Sequence, residues 1–129
     1  MTDVKVVDAS VVAAILFGEP EAEAAVQRIG DARLIAPTLL AFELANVCLT
    51  KCRRHTDRRE KLLAAYVLRE RFAIEEVAVD LAASLELAEA TGLTVYDASY
   101  LWLARAQGVA LVTFDRALER AAMAREMRR

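Results

Sequence analysis

Two rhythms of apolar and polar residues share the chain. Short apolar runs predict strands, and stretches whose apolar side chains return every three or four positions predict helices. Val4 to Val7 reads as a strand despite Lys5, and Asp8-Ala9-Ser10 then leads into the apolar stretch Val11 to Phe17. That order predicts strand, turn and helix, with Ser10 at the N-cap and Gly18 at the close. Pro20 suits the first turn of a second helix, which runs from Glu21 to Ile29 and stops at Gly30. Arg33 to Ala36 is the second predicted strand. Pro37 stands where a long helix would begin, and that helix continues through Leu39, Phe42, Leu44, Val47 and Leu49 to about Cys52.

The second half repeats the alternation. Arg58 to Phe72 carries Leu62, Leu63, Tyr66, Val67 and Phe72 amid charges, the period of an amphipathic helix. Ile74 to Val79 predicts a strand, and Asp80 caps a helix through Ala90 that Gly92 ends. Val95-Tyr96-Asp97 leads into a helix from Ala98 to Gln107, with Gly108 as its stop. Val109 to Phe114 predicts a buried strand, and Asp115 opens a last helix. Strands alternating with helices imply a parallel sheet covered on both faces, because parallel neighbours need crossover connections. The expected fold is α/β, a three-layer α/β/α sandwich around a mainly parallel sheet of four to five strands. With 129 residues, no repeat and no linker-like tract, one domain over 1–129 is expected.

Composition narrows the class. Apolar residues make up 57% and charged residues 28%, with four Gly and two Pro, which excludes disordered and fibrous chains. No apolar stretch approaches the roughly 18 residues that cross a bilayer, and MTDVKVVDAS lacks the basic segment and apolar core of a signal peptide. No membrane association and a cytoplasmic location are expected. Cys48 and Cys52 are one helical turn apart, with His55 nearby. A structural zinc needs four ligands, so two buried, reduced thiols are the expectation.

The candidate chemistry is acidic. In open parallel sheets ligands bind beyond the carboxyl ends of the strands. Asp8 follows the first strand, Asp115 the last, and Asp97 stands at the mouth of a helix. Each alone could serve as a helix cap. A cap does not explain Glu43, which lies within Leu39 to Leu49, a helix apolar nearly all round and therefore expected to be buried. A buried carboxylate must be paired, protonated or bound to a metal. Asn46 and Thr50 extend its face as a polar stripe, which would otherwise face solvent. If the stripe meets the strand ends, Asp8, Glu43, Asp97 and Asp115 share one pocket, and their repulsion is relieved by protons or cations. Oxygen-only ligands select hard ions such as Mg2+ or Mn2+, which promote phosphodiester hydrolysis. The hydroxyls of Ser10 and Thr113 would orient ligands or water, or simply cap.

The net charge of −2 argues against a strongly cationic nucleic-acid binder, but the cations are clustered. Lys51, Arg53, Arg54, His55, Arg58, Arg59 and Lys61 lie close together, and Arg116, Arg120, Arg125, Arg128 and Arg129 mark the C-terminal end. Each group is either a solvated helix face or a phosphate-binding surface.

Four fragments in order resemble the PIN domain, and within it the VapC-type toxins of toxin–antitoxin pairs. They are Val6-Val7-Asp8-Ala9-Ser10, Pro37 to Asn46 with Glu43, Tyr96-Asp97-Ala98-Ser99-Tyr100-Leu101, and Leu111 to Leu118 with Thr113 and Asp115. The resemblance implies metal ligation by Asp8 and Asp97 with support from Glu43 and Asp115, and endonucleolytic cleavage of RNA. It also implies a homodimer and a small antitoxin that wraps the toxin and blocks the pocket. Family members often carry a further short strand after the last helix, whereas Ala121 to Arg129 reads as continued helix. An RNase with an acidic pocket needs cationic flanks, which makes Arg53, Arg54 and Arg58 candidate RNA contacts. Tyr96, Tyr100 and Trp102 either stack bases or fill the core.

A Mg2+-binding receiver-like signalling domain would want paired acids at the first strand and a Lys after a late strand. Asp3 is poorly placed for such a pair, and no Lys follows Lys61. A phosphatase with an Asp nucleophile would place a second acid where Ser10 stands. A catalytically silent PIN-like binding module is the remaining alternative, and the presence of all four acids counts against it.

Overall fold

The computed structural model describes residues 3–127, with side chains described to residue 124. Four strands form one sheet: β1 (Val4–Val7), β2 (Arg33–Pro37), β3 (Glu75–Val77) and β4 (Ala110–Val112). The order is β3-β2-β1-β4 and every pairing is parallel, with Val6 opposite Ile35 and Leu111. Seven α-helices are described: α1 (Ala9–Leu16), α2 (Ala22–Ile29), α3 (Leu39–Arg54), α4 (Arg59–Val67), α5 (Leu81–Thr91), α6 (Val95–Gln107) and α7 (Arg116–Met127). Helix α1 packs on α2 and α3, and α3 on α4. Helix α6 packs on α5, α7 and the strands. The three-layer α/β/α architecture expected from the alternation is present. Among the described residues no helix is long and apolar enough to cross a membrane.

The core forms where the two rhythms meet. Val6, Val7, Ile35, Ala36 and Val112 supply the sheet, while Val11, Val12, Leu40, Leu44, Tyr100, Leu101, Leu103 and Leu118 supply the helices. Lys5 has a place among them because its Nζ donates to Arg28 O at 2.8 Å, so the cation caps the C-terminal end of α2.

Several boundaries differ from the sequence expectation. Pro37 ends β2 opposite Val77 instead of opening α3. Strand β3 is shorter than Ile74 to Val79. The amphipathic stretch 58–72 is not one helix: α4 ends at Val67, a 3-10 turn spans Leu68–Phe72, and Ala73 takes a left-handed φ of 51°. Strand β4 stops at Val112, because the Phe114 and Asp115 amides turn away to side-chain hydroxyls. Helix α6 starts at Val95, with Thr94 as its cap. Helix α3 is not buried all round. Leu40, Leu44 and Cys48 face the core, but Phe42 is 78% exposed and Asn46 and Thr50 face solvent. Cys48 is buried and Cys52 half-buried, both as free thiols. Helix α7 continues through Met127 as expected, while Arg128 and Arg129 lie outside the described residues.

Candidate metal centre

The site starts where β1 ends. Asp8 leaves the sheet with φ −104° and ψ 177°, and this extended backbone lets its Oδ1 accept from the Val11 amide at 3.3 Å. Asp8, not Ser10, therefore caps α1. Ser10 lies inside the helix, where its Oγ donates to Asp8 Oδ1 at 2.6 Å and accepts from the Phe114 amide at 2.9 Å. Thr113 mirrors it: Oγ1 donates to Asp8 Oδ2 and accepts from the Asp115 amide. The exits of β1 and β4 are thus stitched together, and Asp8 is held by three donors at only 6% exposure.

The other acids reach the same place by different routes. Asp115 caps α7, with Oδ1 accepting from the Leu118 amide at 2.9 Å. Asp97 was expected at the mouth of a helix. It lies instead in the first turn of α6, where its amide donates to the capping Thr94 Oγ1 at 3.1 Å. The Asp97 carboxylate is accordingly free of capping duty. Glu43 projects from the half-exposed side of α3, and the buried Tyr100 donates its hydroxyl to Glu43 Oε1.

Asp8, Glu43, Asp97 and Asp115 line one cavity of about 150 Å³, together with Ala9, Ser10 and Tyr100. Among the described residues no cationic side chain lines it. A larger cavity of about 740 Å³ among α5, α6 and α7 is lined, among the described residues, by Arg105 and Arg120 and by no carboxylate. It therefore lacks the chemistry expected of a cation site.

Burial and mutual repulsion push the acids upward. Burial raises the Asp8 pKa against the lowering effect of Ser10, Thr113 and the Val11 amide, and the charge of Asp115 adds to the rise. Glu43 is raised first by burial and then by Asp97 and Asp8, while the Tyr100 hydrogen bond opposes this. Asp97 is raised by burial, then by Asp115 and Asp8. Tyr100 is also held well above its ordinary value, by burial and by the acids around it. The phenol is a proton donor throughout the working range.

As the side chains stand, no three Asp, Glu, His or Cys groups among the described residues are close enough to clasp a metal ion together. The donor set still suits a hard cation. It is all oxygen, and Mg2+ keeps several waters and takes only one or two carboxylates plus substrate phosphates. The spread of the acids around a small cavity fits that habit, and it does not fit a closed protein cage.

The remaining expected residues lie apart. Arg53, Arg54 and Arg58 are exposed, and none lines the cavity. Arg54 is eleven residues along α3 from Glu43, roughly 16 Å by helical rise. Cys48, Cys52 and His55 do not come together as a metal site among the described residues, and the Cys48 thiol lies 3.7 Å from Leu62 O. Tyr96 is 62% exposed, Trp102 is half-buried against α5, and Tyr100 is core. Sequence reasoning left Tyr100 as a core or stacking aromatic and missed its hydroxyl. The available signal was its spacing of three from Asp97, which places both on one helix face. Arg28 was missed altogether: its Nη1 donates to Thr113 O at 2.9 Å and its guanidinium lies 5.5 Å from the centre of the Phe114 ring. It braces the 113–115 turn from behind.

Known proteins share this arrangement of chain. A ribonuclease, VapC3 of Pyrobaculum aerophilum, is 35% identical over 120 residues, covering 88% of this chain and 90% of its own. The crystal structure of PAE2754 from Pyrobaculum aerophilum superposes with a TM-score of 0.61 over 94% of this chain and 87% of that one, at 24% identity, which is a likeness of fold. The model of the PIN domain matches residues 5–123, a span that takes in all four acids. The chain belongs to the PIN-domain family.

Proposed function

We propose that this protein is a metal-dependent endoribonuclease that acts as the toxin of a toxin–antitoxin pair. The observation that carries the reading is the convergence of Asp8, Glu43, Asp97 and Asp115 on one cavity that no cation among the described residues lines. The name and similarity of the VapC3 ribonuclease support the substrate class. Membership of the PIN family sets aside the receiver-like alternative, and a silent binding module becomes one outcome of the test.

Asp8 and Asp97 would hold Mg2+ or Mn2+, with Glu43 and Asp115 in support. When bound, the ion supplies positive charge against the scissile phosphate and makes a water more acidic. The chain's own residues do the rest. Ser10, Thr113 and the Val11 amide keep the Asp8 carboxylate in one orientation. Arg28 and the Thr113 hydroxyl fix the turn that carries Asp115. Glu43 and Asp97, whose proton affinity is raised by burial and by the neighbouring acids, Asp97 and Asp8 for Glu43 and Asp115 and Asp8 for Asp97, accept a proton more readily than exposed acids. Arg53, Arg54 and Arg58 would hold the RNA backbone outside the cavity. A small antitoxin that covers the cavity, a homodimer and a cytoplasmic location complete the reading.

The purified protein should cleave RNA with Mg2+ or Mn2+ and not in chelator, and Asp97→Asn should abolish cleavage while the circular dichroism spectrum is kept. Undiminished cleavage by Asp97→Asn would remove Asp97 from the mechanism. Expression in bacteria should arrest growth, with relief by co-expression of a cognate antitoxin. Normal growth with abundant folded protein that cleaves nothing would favour the silent binding module.

A further inference from the structure

The four acids reach the cavity from elements of unequal rigidity. Asp8 is fixed by three donors, Asp115 by its capping bond to Leu118, and the Asp97 backbone by its place in the first turn of α6. Glu43 differs. Its side chain is the longest of the four, with one more rotatable bond than Asp, and it stands on the half-exposed side of α3. That helix packs chiefly on α1 and α4, whereas α6 packs on α5, α7 and the strands. The two helices that supply Glu43 and Asp97 both pack on β2, and their Leu40, Leu44, Tyr100 and Leu101 share one core beneath the cavity. At the cavity itself they are joined by the hydrogen bond from Tyr100 Oη to Glu43 Oε1, made by residues 57 positions apart in the chain.

Tyr100 is built for such a tie. Its ring is locked in the core, with the residue only 1% exposed. One turn before it on the same face of α6 stands Asp97, so the backbone that carries the phenol also carries the Asp97 carboxylate. A buried ring ending in a polar atom normally finds a partner, and here the partner is a carboxylate at the cavity wall. We propose that Tyr100 is the positioning residue for Glu43: its hydroxyl holds Oε1 and so fixes the distance from the Glu43 carboxylate to Asp97 and Asp8. This rests on the reading that the cavity binds a divalent cation. Tyr100 does not touch the ion. It removes the rotational freedom that Glu43 would otherwise have to lose when the ion binds.

The test measures Mn2+ affinity directly, by calorimetry in the absence of RNA, for the full chain. Tyr100→Phe deletes the hydroxyl and keeps the ring. Loss of an outer-shell partner of this kind costs about 10-fold in metal affinity, and RNA cleavage by the variant should recover toward the wild-type plateau once Mn2+ is raised by the same factor. A role in packing alone would instead lower the plateau or the melting temperature and leave the Mn2+ midpoint in place. Glu43→Asp provides a second readout that does not touch the core, because it keeps the charge but draws the carboxylate back from Oη by one methylene. It should weaken Mn2+ binding similarly. Adding Tyr100→Phe to Glu43→Asp should then produce no further loss, since the contact is already broken. Wild-type Mn2+ affinity in Tyr100→Phe, or in Glu43→Asp, would overturn the positioning role while leaving the cation site standing. Absence of Mn2+ binding by the wild-type protein would overturn the cation site itself, and this inference with it.

Discussion

At the scale of single residues, the same Asp side chains serve both fold and site. Asp8 caps α1 and lines the cavity, and Asp115 caps α7 and lines it too. An N-cap Asp exchanged for Asn keeps its capping ability, whereas exchange for Ala costs about 1 kcal/mol. Asp8→Asn should therefore melt close to the wild type and still lose cleavage, while Asp8→Ala should lose cleavage and melt several degrees lower. A variant Asp8→Asn that cleaves RNA at the wild-type rate would show that the Asp8 charge is not used. The double duty also explains what could be read from the sequence. A strand-end Asp before an apolar helix is recognisable from its neighbours, although Ser10 competed with Asp8 for the cap and lost because it bonds back to Asp8. Glu43 was singled out for the wrong reason. It was expected inside an apolar helix, yet half of that helix faces water, and what marks Glu43 is a long-range contact with Tyr100 that no local pattern reveals.

At the scale of elements, hydrophobic periodicity located the described α-helices and strands, but not their ends and not the 3-10 turns at 56–58 and 68–72. Ends are set by partners distant in sequence. Strand β4 stops where the Ser10 and Thr113 hydroxyls capture the next two free amides, and β2 runs on to Pro37 because β3 lies beside it. Gly92 and Gly108 could be placed as helix stops, since both take positive φ values of 78° and 65° that other residues resist. The basic stretch shows the limit of reading an element alone. Arg53, Arg54 and Arg58 cluster near the end of α3, away from the cavity, so they can act only on the flanks of a long substrate. Replacing all three with Gln should lower the slope of log affinity against log salt by about 2 for single-stranded RNA. It should raise KM with little change in kcat. Because all three are exposed, the melting temperature should stay within the range of a ±0.5 kcal/mol change. An unchanged salt slope would remove this surface from RNA binding.

At the scale of the whole molecule, alternating strands and helices were enough to give the α/β sandwich, because parallel strands can be joined only by crossovers. The sheet order and the meeting of α3 with the strand ends were not legible, since they depend on packing among side chains far apart in sequence. That meeting has a consequence for stability. In the metal-free protein the pKa values of Asp8, Glu43 and Asp97 are raised in the folded state, so the fold binds more protons than the unfolded chain just above the ordinary carboxylate range, near about 4. The contribution of these three acids to stability is then fullest below that range and is lost as pH rises through their folded values. A divalent cation favours the deprotonated acids, so its stabilising effect should grow with pH over the same window. The most direct measurement is a calorimetric titration of Mn2+ into metal-free wild type and Asp97→Asn at pH 7.5 and pH 5. Saturable binding by the wild type, weaker at pH 5 and lost in Asp97→Asn, is expected. No binding by the wild type at pH 7.5, or equal affinity in the variant, would contradict a cation site built from these carboxylates.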